Sequence, residues 1–376
     1  MIEIADVFRR FADDYLSAYG ATMLPSHRRA IADILACRTE ALGGHLWRCD
    51  RCSAEVYSYH SCKNRSCPKC HTDQADRWLA ARKAEVLPCP YFHVTITVPE
   101  ELRGTLRANQ KDGYNLLMKA AAEAIIELAR DSHYVGGTVG ILAVLHTWTQ
   151  QLLYHPHVHC LVTGGGISDD GRHWLPARNG FLVPYPALAD LARGKLRAAL
   201  AKRRPDLVLP EATWSKRWVV QCTPWGEGDE AVLRYLARYV FRVAITNNRI
   251  VNLDANGVTL RHKHRASNRW RTIHLTGHEF IRRFLQHVLP KGLHKVRYYG
   301  LWHSTRREHA AQTRLLLLLQ RRGSSELEAR SSPMIGDAAD RPDNPTLPTE
   351  PLICPHCKHG HLIHIGRLYP KQPSGP

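Results

Sequence analysis

Apolar positions change their rhythm along this chain, and the changes predict its elements. Residues 5–19 and 26–37 repeat apolar side chains three and four apart, the spacing of one helical face, and predict two amphipathic helices, the second with Ser26 as its N-cap. From Pro90 to Pro99 the pattern alternates instead. Phe92, Val94, Ile96 and Val98 fall on one side and His93, Thr95 and Thr97 on the other, which predicts a strand with one polar face. A helical stretch over about 106–131 follows, then strands over 139–148 and 154–163 whose short link makes them expected neighbours. Gly164, Gly165 and Gly166 read as the end of the second strand. Helical periodicity returns over 231–245, a strand over 270–275, and a helix over 279–288 with Thr276 and Glu279 as its capping box. A last helical pattern covers 306–322, and 323–351 is polar, Ser-rich and Pro-rich, the composition of a linker or a disordered stretch. Strand, helix, strand, strand, then helices is an α+β order, and it predicts a central antiparallel sheet with flanking helices behind a small helical, cysteine-bearing module.

Charge narrows the partners. Lys and Arg number 52 against 34 Asp and Glu, a net charge of +18, and the isoelectric point is near 9.6, so a polyanion, first of all nucleic acid, is expected. No apolar run approaches the ~20 residues of a membrane span, and the opening residues lack the charge pattern of a signal peptide. A cytoplasmic location without membrane contact is expected. The 376 residues suffice for two or three domains. We divide them at 1–86, 87–300 and 301–376, the last holding a helical segment, a linker and a small cysteine knuckle.

Eleven cysteines in such a chain point to metal rather than to disulfides. Cys49 and Cys52 form one C-x-x-C pair, Cys67 and Cys70 another, with 14 residues between the pairs, close to the spacing of a four-thiolate zinc site. Such a closed site is structural. Cys37, His45, His60, Cys62 and His71 lie around it, and Cys37, His45 and Cys62 are candidates for a second zinc. Arg65 and Lys69, among aromatic neighbours, are candidate DNA contacts. Near the other end Cys354 and Cys357, followed by His359, His361 and His364, offer a further zinc knuckle or a half-site without metal.

The stretch from Tyr154 to Thr163 places His155, His157 and His159 at alternate positions, so all three share one face of a strand. Neutral imidazole is a favoured metal ligand. His157 and His159 are the candidate pair for a catalytic Mg²⁺ or Mn²⁺, with His155, His93 and His146 open as the third ligand. In the helix at 231–245, Tyr235 and Tyr239 stand one turn apart on one side. Arg238 and Arg242 follow the same spacing and are candidate phosphate contacts. Tyrosine is a weak nucleophile at its ordinary pKa near ~10, so it needs a polarised phosphorus and cationic neighbours.

Three segments carry a resemblance. The run His155 to Cys160 with its glycine triplet, the run Tyr235 to Asn247, and the run Glu279 to Gly292 with Arg297 to Gly300 resemble, in this order, the two-tyrosine rolling-circle insertion-sequence transposases of the HUH nuclease superfamily. The segment ending in Cys62 to Cys70 is similar to their zinc-binding domain. The resemblance implies a nuclease fold over 87–300, His157 and His159 as metal ligands, and Tyr235 and Tyr239 as nucleophiles. It also implies cleavage of single-stranded DNA at mobile-element ends through 5′-phosphotyrosine links, followed by rejoining to target DNA. Plasmid replication initiators and relaxases share that chemistry, and a zinc-dependent DNA-binding protein without catalysis would share the charge and the cysteines.

Overall fold

The apolar faces of α1 (Ile4–Tyr19) and α2 (Pro25–Ala36) pack together at the start of the chain. Pro25 opens α2 at its first helical position, where its missing N–H is of no consequence, and Leu24, not Ser26, is the N-cap. This computed structural model describes residues 1–70, 86–178, 180–240, 242–264, 267–326 and 352–370. His71 and most of the expected linker lie outside them. Next come the short antiparallel strands β1 (Gly44–Cys49) and β2 (Glu55–Tyr59).

The central sheet begins with β3 (Pro90–Thr97). The single expected helix after it is two, α3 (Glu100–Ala108) and α4 (Gln110–Arg130), broken at Asn109, whose backbone leaves the helical region. Strands β4 (Thr138–Trp148) and β5 (Tyr154–Ile167) then pair antiparallel, as their short link requires. The glycine triplet does not end β5 but continues it. The short strand β6 (Trp174–Pro176) lies alongside, and the Trp174 indole sits where a Cβ on Gly165 would stand, 2.5 Å from it. Helix α5 (Tyr185–Arg203) leads to β7 (Val219–Glu227). The helix α6 (Gly228–Tyr235) runs on as one π-helical turn, Leu236–Val240, and stops short of the expected end.

Strands β8 (Ile250–Leu253), β9 (Gly257–Lys263) and β10 (Trp270–Thr276) form a second antiparallel sheet. Helix α7 (Gly277–Leu285) follows, capped by Thr276 Oγ1, which accepts the Glu279 N–H at 3.3 Å. Strand β11 (Val296–Gly300), helix α8 (Arg307–Glu326) and β12 (Leu362–Leu368) complete the described chain. The central sheet has the order β11-β4-β5-β3-β7, all antiparallel, with helices on both faces. This is the expected α+β arrangement.

Strand alternation divides the core in two. Val94, Ile96, Ile141, Ala143, Val158, Cys160 and Val162 face α4 and α5. Leu142, Val144 and Leu161 face α6 and α8, and the same parity carries His93, His146, His157 and His159 to that side. A separate apolar cluster joins α1 and α2 to α7 and the second sheet, with Phe8 edge-on to Phe284 at 5.3 Å. The amino-terminal helices therefore pack directly on the segment that follows the tyrosine helix.

His287 ties that segment to the histidine strand. Its Nε2 donates to the Leu152 carbonyl at 3.1 Å and its Nδ1 meets Thr147 Oγ1 at 3.1 Å. Burial holds its pKa at about 4 instead of the ordinary 6.5. Between these values the unfolded chain takes up a proton that the native chain refuses, so native stability falls as pH drops from about 6.5 to about 4. At pH 5 the loss from this group amounts to about 2 kcal/mol. Urea midpoints at pH 7 and pH 5 should therefore differ less in His287→Gln than in the unsubstituted protein; an equal difference would show that His287 does not fold neutral.

Candidate active site and metal centres

Register brings the imidazoles together. Across β4 and β5, His146 stands opposite His157 and Val144 opposite His159, while on the other side of β5 Thr95 stands opposite His159. His146, His157 and His159 each offer a ring nitrogen, and these nitrogens lie within 4.8 Å of one another. Of the three candidates for a third member of the group, the structure brings in His146. His93 instead lies behind His159, its Nε2 3.0 Å from His159 Nδ1, with Thr95 Oγ1 3.2 Å and 3.1 Å from those two nitrogens. His155 is outside the group and contributes its carbonyl, which accepts from His157 Nδ1 at 2.7 Å.

These hydrogen bonds orient the rings. His146 donates from Nε2 to the Tyr239 carbonyl at 2.7 Å, which leaves its Nδ1 lone pair free. His157 donates from Nδ1, which leaves Nε2 free, and His159 uses Nδ1 toward His93 and Thr95. Each ring thus keeps one nitrogen for a cation while the other is held by protein, the usual support of a ligating histidine. Burial keeps all of them neutral. It holds His157 and His93 at about 4, Arg238 adding to the effect on His93, and it holds His146 and His159 far below the ordinary range, with neighbouring imidazoles contributing. Three neutral imidazoles could hold a divalent metal cation whose open positions water or phosphate would complete.

The two tyrosines meet this cluster at different depths. Tyr239 packs against both His159 and His93, with ring centroids 4.2 Å and 4.7 Å away, and is 8% exposed. Tyr235 is 4.9 Å from Tyr239, between it and the apolar core, and is 0% exposed. Its hydroxyl makes no hydrogen bond of good geometry, although the Leu161 amide is near enough to favour the phenolate. Burial raises the pKa of both phenols, and for Tyr239 the Arg238 and Arg242 guanidiniums act in the opposite sense. Arg238 stacks over Tyr239 and over Trp225, at 5.8 Å and 5.9 Å. Arg242 is half-buried beside it.

A groove of about 760 Å³ opens over Tyr239 and the histidines, with Arg238 and Arg242 on its wall and His262, Lys263 and His264 at its far side. Trp225 carries no motif, and only the fold brings it beside Tyr239.

Arg65 and Lys69 do not face such a groove. Arg65 donates to the carbonyls of Leu289 at 2.7 Å, Pro290 at 2.5 Å and Leu293, and Lys69 pairs with Glu3 at 2.7 Å. Both are engaged within the protein, because the cysteine module folds against the segment after α7 and against the start of α1.

The cysteines are sorted differently from the expected grouping. Cys37, Cys62, Cys67 and Cys70 form one cluster, and Cys49, Cys52, Cys354 and Cys357 another. Cys67 and Cys70 close on Cys37 at the end of α2, while Cys49 ends β1, whose other edge pairs with β12 and so draws in the distant cysteines. His45 belongs to neither; its Nδ1 is 3.0 Å from His364 Nε2 on β12. Within the first cluster Cys37 Sγ lies 3.4 Å from Cys70 Sγ and 3.6 Å from Cys67 Sγ, and Cys62 Sγ lies 3.6 Å from Cys70 Sγ. Zinc at ~2.3 Å from each sulfur places tetrahedral thiolates about 3.8 Å apart, so the clusters have the donors and dimensions of structural zinc sites.

Residues 140–309 match the family profile described as "Putative transposase", and residues 7–98 match "Transposase zinc-binding domain". The chain is similar to the protein named "Putative transposase y4qJ" from Sinorhizobium fredii (strain NBRC 101917 / NGR234), with 38% identity over 383 aligned positions covering 96% of this chain and 94% of the relative. It is also similar to the "Transposase for insertion sequence element IS801" from Pseudomonas savastanoi pv. phaseolicola, with 26% identity over 287 positions, 72% of this chain and 68% of the relative. No solved structure matches it. No helix among the described residues is long and apolar enough to cross a membrane. With both profiles matched in order and one relative aligned along nearly the whole length, this chain belongs to the family of insertion-sequence transposases represented by IS91 and IS801, and DNA is its substrate.

Proposed function

We propose that this transposase cuts and rejoins single-stranded DNA at the ends of its mobile element, in rolling-circle-type transposition, with Tyr239 as the first nucleophile. The observation that carries the reading is the position of Tyr239, the phenol that stands against the imidazole cluster and reaches the groove. A divalent cation, Mg²⁺ or Mn²⁺, on His146, His157 and His159 would draw charge from the scissile phosphate and from the leaving 3′-oxygen.

The chain's own residues do the rest. Tyr239 gives up its phenolic proton to solvent in the groove and forms an Oη–P bond, the P–O3′ bond breaks, and the 3′-oxygen takes up a proton from solvent. Arg238 and Arg242 favour the phenolate and hold the phosphate. The resulting 5′-phosphotyrosine ester keeps the broken bond's energy, and a later 3′-hydroxyl reverses the step. Outside the groove, on the strands β9 and β10, Arg261 lies 5.2 Å over Trp270, which is 58% exposed, a surface suited to an unpaired strand by charge and stacking. Tyr235, one turn earlier and sealed, serves the second strand after the helix end has rearranged.

Labelled single-stranded DNA bearing an element end, incubated with protein and Mn²⁺, tests this on a denaturing gel. Tyr239→Phe should lower the covalent adduct at least ~10³-fold, the scale on which loss of a nucleophile is felt, while Tyr235→Phe keeps the first adduct and loses strand transfer. Cleavage at full rate in Tyr239→Phe without adduct would mean that water attacks instead. Mn²⁺ titration by calorimetry checks the support of the cluster separately. His93→Leu should weaken the ion ~10–100-fold, as removal of an outer partner does, and His155→Ala should leave it nearly unchanged; the reverse order would exclude this ligand set.

A further inference from the structure

The second cysteine cluster joins the two ends of the chain. Cys49 Sγ lies 3.6 Å from Cys357 Sγ, and Cys52 Sγ lies 3.8 Å from Cys354 Sγ, pairs separated by 308 and 302 residues in sequence. The carboxy-terminal half of this cluster lies outside both matched family segments, 7–98 and 140–309.

We propose that Cys49, Cys52, Cys354 and Cys357 hold one zinc ion between them, and that this ion is a clasp fastening the carboxy-terminal segment to the amino-terminal module. Thiolate separations near 3.8 Å are those of tetrahedral zinc. The two halves are built alike. In each, the residue after the second cysteine takes a positive φ, 56° at Ser53 and 59° at Lys358, and its N–H donates to the carbonyl of the first cysteine, at 3.2 Å and 2.9 Å. This tight turn aims both sulfurs of a C-x-x-C pair at one point. Backbone N–H groups of Arg51, Cys52 and Gly360 point at sulfur, at 3.4, 3.5 and 3.3 Å, and offset the negative charge of a tetrathiolate centre. A Cβ on Gly360 would stand 2.4 Å from Cys49 Sγ, so the second half closes over the first too tightly for any side chain there.

Burial explains why an ion is needed. Across residues 352–370 only Cys354 and Gly360 are buried; Leu352, Ile353, Ile363, Ile365 and Tyr369 are exposed. The segment has no apolar core of its own. Strand β12 lies on β1 by backbone pairing from Gly44↔Leu368 to Cys49↔Leu362, and His361 donates its N–H to Asp50 Oδ1 at 2.8 Å. Backbone bonds at a solvent-exposed ribbon, without hydrophobic burial, do not hold a chain end in place. A thiolate-bound metal does so in domains too small for a core. The inference is independent of the nicking chemistry.

Titration of the full-length protein with a mercurial, which frees thiolate-bound zinc and leaves histidine-held ions uncounted, reads the stoichiometry. Two zincs are expected from the two cysteine clusters. Cys52→Ser, Cys357→Ser and the Cys52→Ser, Cys357→Ser double variant should each release one, because both cysteines serve the same ion. Cys62→Ser combined with Cys357→Ser should release none. Two zincs from Cys357→Ser, or a double variant that loses more than either single one, would overturn the clasp. A second measurement needs no cysteine replaced. With a protease site inserted within 327–351, the cleaved carboxy-terminal piece should co-elute with the body of the protein until the mercurial is added, and release before that addition would equally overturn it.

Discussion

One hydrogen bond, from His146 Nε2 to the Tyr239 carbonyl, couples the imidazole cluster to the tyrosine segment. The last carbonyls of a helix have no partner within it, and the π-turn at Leu236–Val240 ends α6 close to where β4 presents His146. The bond therefore acts in both directions. It takes one nitrogen of His146 out of competition, so the other is left for a cation, and it holds the end of the tyrosine segment against the sheet. With that carbonyl held, the Tyr239 backbone stays beside the histidines and its ring packs against them.

The sheet makes that coupling costly, which is itself informative. Four imidazoles on the inner face of β3, β4 and β5 occupy places where Leu142, Val144 and Leu161 show that apolar side chains fit. Buried polar groups destabilise a fold unless they are partnered. Here one nitrogen of each ring has a protein partner, and the remaining nitrogens of His146, His157 and His159 converge. Structural packing alone gives no reason for such convergence; a ligand between the rings does.

Much of this was legible in the sequence. Alternation alone assigned His93, Thr95, His157 and His159 to polar faces, because one residue of slip would have buried them among α4 and α5. His146 could not be chosen over His93 or His155, since the choice depends on β4 lying beside β5 with His146 opposite His157, a register set by a bulge near Trp148. Tyr235 and Tyr239 looked equivalent by helical angle. Their difference in depth follows from the groove above Tyr239 and from Trp225 on β7, which no local pattern reports. The cysteines were misgrouped for a related reason: a C-x-x-C pair fixes two ligands but not which other pair it meets, and strand pairing of β1 with β12 crosses almost the whole chain.

The cysteine module and the tyrosine segment also meet through a buried seam. Arg65, within the loop that Cys62, Cys67 and Cys70 define, fills the carbonyls at Leu289, Pro290 and Leu293, and two residues further on Lys295 donates to the Arg242 carbonyl at 3.3 Å. Burial holds that lysine at about 8, with Arg65 adding to the effect, and a cavity of about 30 Å³ separates these cations. Two like charges are tolerated there because three carbonyls accept from Arg65 and one from Lys295. Loss of the loop would withdraw Arg65 from three carbonyls in the segment after α7, of which Pro290's alone keeps a backbone donor among the described residues, the Leu293 N–H at 3.2 Å. The loop from Cys62 to Cys70, where its cysteines with Cys37 would hold a structural metal, thus reaches the segment whose Lys295 binds the Arg242 backbone.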